Sequence, residues 1–251
     1  GLGTVLGYLD TFSFTDSDIA YLRTLPGGRG DSLFEPAFLD YLKTIELRCD
    51  IAAVPEGTPV FPFEPLIRVS GPLLQCQILE SALLNILNYQ TLIATKAARV
   101  LLASEMDSIL EFGLRRAHGV DGGVMASRAA YIGGCSGTSN VLAGKLFGIP
   151  VKGTHAHSWV MVHETEREAF HNWADAMPDN AIMLVDTYDT IQGVRNAIET
   201  ARELRARGHR MQGIRLDSGD LYILSVTARA LLDEAGFDDV AIVGSGDLDE
   251  Y

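Results

Sequence analysis

Apolar positions along the chain fall into two textures that change over near residue 107. Residues 1–48 mix aromatic and polar positions with turn signals at Pro26-Gly27-Gly28 and Gly30-Asp31, and within them Phe38, Leu42 and Ile45 recur at the spacing of one helix face. An irregular, mostly helical entry is predicted. Over 51–74 β-branched residues are broken by Pro55, Gly57, Pro59, Pro62, Pro65 and Gly71-Pro72, a pattern of short edge-type strands joined by tight turns. Residues 75–104 contain neither Gly nor Pro, and Leu79, Leu83, Leu87, Ile93, Ala97, Val100 and Leu101 recur at helical intervals. That predicts one helix of about thirty residues linking two domains.

Beyond Ser108 the pattern becomes short apolar runs followed by helical stretches, at 109–112, 151–153, 182–185, 213–216 and 240–243, with a further short strand expected at Cys135-Ser136. The last four runs lie about thirty residues apart, with helices expected at 194–207 and 221–235, which is the rhythm of βαβ units and a parallel sheet. No G-x-G-x-x-G follows the first run, so a barrel is favoured over a dinucleotide-binding sheet, an open doubly wound sheet being the alternative. The expected fold class is therefore α/β, with a partial (β/α) barrel over 107–251 preceded by a smaller α+β domain over 1–106.

Composition narrows the picture. The chain has 251 residues, 47% of them apolar and 21% charged, as a globular protein does. A chain of this length buries roughly 70% of its surface without disulfide or metal staples. The formal net charge of −13, without any Lys/Arg-rich run, argues against nucleic acid as a partner. Three cysteines, Cys49, Cys76 and Cys135, lack metal-ligand spacing and fit a reducing cytoplasm. The uncharged stretch 81–95 is interrupted by Asn and Gln and is too short to span a membrane, and no signal peptide opens the chain. A first residue that is Gly, and a last strand running straight into Gly244-Ser245-Gly246-Asp247, lead to the expectation of a fragment.

Ligands of such barrels meet the C-terminal ends of the strands, and the residues there are polar. Arg115, Arg116, Lys152 and Arg215 make a cationic set suited to an anionic substrate, the alternative being pairing of the arginines with surface carboxylates. Asp217 and Asp220 are suited to Mg²⁺ or to sugar hydroxyls, while Ser218 or Asp220 serves equally as a helix N-cap; both roles can hold at once. His155 and His157, two residues apart at a strand end, are expected to point the same way, with the hydroxyls of Thr154 and Ser158 beside them. Ser245, Gly246 and Asp247 offer backbone N–H groups to a phosphate, or form a plain turn.

These blocks resemble, in order, those of the nicotinate phosphoribosyltransferase family, type II phosphoribosyltransferases of NAD salvage. The similarity is carried by Glu111-Phe112-Gly113-Leu114-Arg115-Arg116-Ala117, by Gly153-Thr154-x-Ala156-His157-Ser158-Trp159, by Val185-Asp186-Thr187-Tyr188-Asp189-Thr190 and by Arg215-Leu216-Asp217-Ser218-Gly219-Asp220-Leu221. Asp16-x-x-Ile19-x-Tyr21-Leu22 and the helix through Gln90 to Arg99 are similar as well, so the resemblance runs along essentially the whole chain. It implies nicotinate and 5-phosphoribosyl 1-pyrophosphate as substrates, nicotinate mononucleotide and pyrophosphate as products, ATP hydrolysis coupled through a phosphorylated His157, Mg²⁺, and a homodimer. It further implies that Thr154 and Arg215 contact nicotinate, that Arg115, Lys152, Ser158 and Asp220 complete the substrate-binding set, that Asp217 lies near ribose and, with Asp220, Mg²⁺, and that Ser245, Gly246 and Asp247 bind phosphate. Where the family's phosphate segment resembles Ser-Asn-Asp-Leu-Asp-Glu this chain has Gly246, so one side-chain amide is missing. The family's nicotinate-stacking tyrosine and a later glycine-rich phosphate loop are also without counterparts here. The competing readings are a nicotinamide-using relative, disfavoured because 153–158 contains no acid, a non-catalytic nucleotide-binding remnant, and an aldolase barrel, for which Lys152 is the sole Schiff-base candidate.

Overall fold

The computed structural model describes residues 1–251, which form two compact units, Gly1–Val151 and Lys152–Tyr251. The fold is mixed α/β. No helix is long and apolar enough to cross a membrane.

The first unit opens with helices α1 (Leu2–Asp10), α2 (Asp16–Thr24) and α3 (Pro36–Lys43). A capping box starts α2: the Thr15 hydroxyl accepts from the Asp18 N–H at 3.2 Å and the Asp18 carboxylate accepts from the Thr15 N–H at 2.7 Å. The proline-punctuated stretch forms the small β layer it predicts, β1 (Asp50–Ala53) and β2 (Ile67–Ser70), paired antiparallel from Asp50↔Ser70 to Ala53↔Ile67. The run without Gly or Pro becomes α4 (Leu73–Ala103), 31 residues long, which buries Leu79 and Leu83 against Val5 of α1. Then come β3 (Leu110–Glu111), a 3₁₀ turn at Leu114–Arg116, α5 (Val120–Ile132), β4 (Gly137–Thr138) and α6 (Val141–Phe147).

The expected strand at Cys135-Ser136 is displaced by two residues to β4, which pairs in parallel with β3. The apolar run at 151–153 forms only a single bridge, Thr138↔Val151, before the chain leaves the sheet. Residues 107–151 stay with the first unit because α5 lies tightly along α4. The Tyr89 hydroxyl donates to the Gly122 carbonyl at 2.9 Å, and a Cβ at Gly133 would collide with the Ala94 carbonyl.

The second unit holds α7 (His157–Met161), α8 (Glu166–Ala176), β5 (Ile182–Leu184), α9 (Thr190–Ala206), β6 (Gly213–Leu216), α10 (Leu221–Glu234) and β7 (Ala241–Gly244). Its sheet is parallel in the order β5-β6-β7, with Leu184↔Arg215 and Leu216↔Gly244 in register. Met183, Ile214 and Leu216 of the strands, Phe170 of α8, Val194 and Leu204 of α9 and Leu232 of α10 are buried in one core. Helices thus cover the sheet, which explains strands that read as continuous apolar runs. Full burial of each such side chain contributes about 1.5–3 kcal/mol. Both long helices are capped by the acids that follow the strands: Asp189 accepts from the Gln192 N–H at 2.7 Å and Asp220 from the Ile223 N–H at 3.0 Å.

Candidate active site

Parallel register brings the residues after β5, β6 and β7 side by side, and side chains from each of these ends bond to one another. Arg215, with 13% of its side chain exposed, donates from Nη2 to Asp217 Oδ1 at 2.8 Å, from Nε to Ser245 Oγ at 2.7 Å and from Nη1 to Thr154 Oγ1 at 3.0 Å. The Ser245 hydroxyl lies 2.5 Å from Asp217 Oδ1 and 3.1 Å from the Leu216 carbonyl. His157, the first residue of α7, sits over this group with Nε2 3.3 Å from Asp217 Oδ2 and Nδ1 3.2 Å from Thr187 Oγ1. Burial pushes the Asp217 carboxyl up, but the Ser245 hydroxyl and the Arg215 charge outweigh it and hold the group below the usual carboxylate range. An ionised Asp217 only accepts, so Nε2 of His157 donates to it, and in the neutral ring Nδ1 then carries the lone pair and accepts from the Thr187 hydroxyl.

Asp186 underlies the arrangement. Its side chain is fully buried, Oδ2 accepts from the Asp217 N–H at 2.9 Å and from the Ser218 hydroxyl at 2.5 Å, and Oδ1 has no hydrogen-bond partner but lies 4.0 Å from His157 Nε2. Neither Asp186 nor Thr187 belongs to the candidate set read from the sequence. Both follow the apolar run at 182–185 directly, so the strand-end rule that selected Arg215 and Asp217 reaches them too.

The two histidines do not point the same way. Residues 152–156 are not a strand but a coil that enters α7, so two-residue alternation does not apply. His155 is 3% exposed, lies against Phe170 and Trp173, and accepts the Leu184 N–H on Nε2 at 3.2 Å, while His157 faces Asp217. Burial, reinforced by the charge of Arg215 and opposed by the Ala156 backbone, lowers His155 to about 4, so it is neutral.

Of the expected residues, Thr154, His157, Arg215, Asp217 and Ser245 are brought together. Asp220 is exposed and caps α10. Ser158 and Lys152 are exposed, on the first turn of α7 and in the preceding coil. Arg115 is exposed on the 3₁₀ turn of the first unit. Gly246 has φ +106°, and a Cβ there would stand 2.6 Å from the Asp217 carbonyl oxygen, so this turn as built excludes a side chain. Asp247 follows it at φ +50°. No group of three or more His, Cys, Asp or Glu side chains is placed to hold a metal ion.

Residues 108–236, more than half of the chain, match the family model described as the nicotinate phosphoribosyltransferase (NAPRTase) family. The chain belongs to the nicotinate phosphoribosyltransferase family. Residues 1–88 match the NAPRTase N-terminal domain as well. The chain is 49% identical to the nicotinate phosphoribosyltransferase of Bacillus subtilis and 42% identical to nicotinate phosphoribosyltransferase pncB2 of Mycobacterium tuberculosis, in each case over 100% of its own length. It covers 50% and 52% of those proteins, so it spans about half the length of the curated relatives it matches. Among solved structures, human nicotinic acid phosphoribosyltransferase superposes with a TM-score of 0.87 at 35% identity, over 100% of this chain and 60% of that one. A nicotinate-nucleotide pyrophosphorylase from Pyrococcus furiosus gives a TM-score of 0.73 at 31% identity, over 80% of this chain and 52% of that one.

Proposed function

We propose that the protein transfers the phosphoribosyl group of 5-phosphoribosyl 1-pyrophosphate to nicotinate, releasing nicotinate mononucleotide and pyrophosphate, with ATP hydrolysis coupled through a phosphorylated His157. The observation that carries this reading is the bonded series Thr154, Arg215, Asp217 and His157 at the ends of a parallel sheet, in a chain whose relatives bear that name.

In this transfer the pyridine nitrogen bonds to the anomeric carbon as the bond to the pyrophosphate oxygen breaks. Positive charge develops on the sugar and negative charge on the leaving group. The carboxylates of Asp217 and Asp186 suit the first, and the turn at Ser245, Gly246 and Asp247, whose Ser245 N–H is itself taken by the Leu216 carbonyl at 2.8 Å, is the proposed seat of the second. Arg215 and Thr154 present a guanidinium and a hydroxyl to the nicotinate carboxylate, as the family blocks imply. Lys152 and Ser158 beside the site, and Arg115 in the first unit, stand as proposed substrate-binding residues on the strength of those blocks. The unprotonated nitrogen of His157 takes the γ-phosphoryl of ATP as ADP leaves, and water later cleaves the N–P bond. Mg²⁺ would shield the phosphates. Asp217 and Asp220 would hold it together with substrate phosphates, and there it would act as a Lewis acid toward the leaving pyrophosphate.

The same reading takes the parallel strands as parts of an incomplete type II phosphoribosyltransferase barrel, with a smaller domain over 1–106 and the barrel part over 107–251. It sets the protein, as a homodimer, in a reducing cytoplasm. Mass-spectrometric detection of nicotinate mononucleotide from labelled nicotinate, phosphoribosyl pyrophosphate and Mg-ATP tests it, with the Bacillus subtilis relative as positive control. Product from this chain is the expected result; none, beside an active control, overturns it.

A further inference from the structure

We infer that His155 is a positioning residue for the reaction proposed above, its neutral imidazole closing the free edge of β5 and so seating the 154–157 segment over the strand ends. The inference rests on that reading of His157 and names a residue at the one position the family block leaves open, between Thr154 and Ala156.

Amide direction alternates along β5. The Val185 N–H bonds to the Arg215 carbonyl of β6 at 3.1 Å, so the Leu184 N–H faces the other edge, where no strand pairs with β5. Leu184 is 1% exposed, so water does not serve that donor, and a buried backbone N–H needs an acceptor. His155 Nε2 supplies it at 3.2 Å. The proton is then on Nδ1, which is buried and has no hydrogen-bond partner. The ring is clamped edge-on to Trp173, with centroids 5.3 Å apart, and tilted on Phe170 at 5.8 Å.

His155 is thereby the buried anchor of a segment whose neighbours reach the site. The Thr154 hydroxyl donates to the His155 carbonyl at 3.0 Å and accepts from Arg215, and two residues on His157 meets Asp217 and Thr187. Without the contact to β5, the segment keeps its ring packing on Phe170 and Trp173 but loses its one hydrogen bond to the strand.

Imidazole and amide NMR on the 251-residue chain tests this without turnover. His155→Phe keeps an aromatic ring between Phe170 and Trp173 and removes the acceptor; His155→Gln returns an oxygen near the place of Nε2. The expected result is that His155→Phe speeds hydrogen exchange at the Leu184 amide by about tenfold or more and shifts the ring-nitrogen signals of His157, while His155→Gln restores both. If His155→Phe leaves the His157 nitrogens as in the unaltered chain, whether or not Leu184 exchanges faster, the positioning role is overturned. Should His155→Phe fail to fold, His155→Leu, which also removes the acceptor for the Leu184 N–H, takes its place: displaced His157 signals that His155→Gln restores support the role, and unaltered ones overturn it. Because these signals need no substrate, a chain that forms no nicotinate mononucleotide would refute the proposed function and leave this result readable.

Discussion

At the scale of single residues, titration and reactivity follow from where each group is buried. His155 is lowered to about 4 from an ordinary value near 6.5, so protons bind the unfolded chain before the folded one as pH falls. Above the ordinary value both forms are neutral and the group has no effect. Between there and the folded value, stability declines by up to about 1.4 kcal/mol per pH unit, reaching about 3 kcal/mol in all. Urea unfolding at pH 7.5, 6 and 5 should show this slope in the unaltered chain and its loss in His155→Gln. Cys135 is 6% exposed, and burial together with the nearby Glu111 charge raises its thiol to about 11. Iodoacetamide at pH 8 should therefore label it at least about a hundredfold more slowly in the folded chain than in urea, as peptide mapping would record. The residues of the site were partly legible for a related reason. Arg215, Asp217, Thr154 and His157 are polar residues standing directly after apolar runs, and so is Asp186. What the pattern does not carry is direction, because His155 and His157 lie in coil and at a helix start, where spacing no longer sets the side on which a residue falls.

Whole elements were legible in proportion to their length. The run at 75–104 repeats its apolar face many times and emerges as α4, and α9 and α10 follow from the same periodicity, sharpened by the Asp189 and Asp220 caps. β3 and β4, at two residues each, carry too few positions for alternation to register, and alongside their backbone pairing the Glu111 carboxylate accepts from Thr138 Oγ1 at 2.6 Å and from Ser127 Oγ of α5 at 2.8 Å. Replacing Asp220 by Ala should lower stability by about 1 kcal/mol through the lost cap, read as a shift in the urea midpoint with an unchanged slope. Gly193 is a harsher position. A Cβ there would run into the Val185 carbonyl, since α9 rests directly on the end of β5. Gly193→Ala should cost about 1–3 kcal/mol or more and, by moving the strand end that carries Asp186, disturb the site as well. An exposed glycine such as Gly28, around which a Cβ meets nothing, should accept Ala with little change under the same assay.

For the molecule as a whole, the proposed chemistry separates two substitutions that both remove a site side chain. His157→Ala should abolish the stimulation by ATP while leaving the basal transfer measurable, whereas Arg215→Ala should raise the KM for nicotinate about tenfold or more with the ATP response retained. Initial rates with and without ATP across a nicotinate series distinguish them, and a His157 variant with unchanged ATP dependence would remove the phosphohistidine step from the scheme. One consequence follows for how such changes can be watched. The chain contains two tryptophans, and both belong to the second unit, where Trp173 packs on His155 and on Trp159 at 5.7 Å. Ultraviolet emission excited near 295 nm, at the red edge where tryptophan absorbs almost alone, is therefore a native optical probe of the segment beneath the candidate site. It is blind to the first unit, so ligand-induced quenching or a change in emission maximum needs no attached dye to be assigned to the strand-end region.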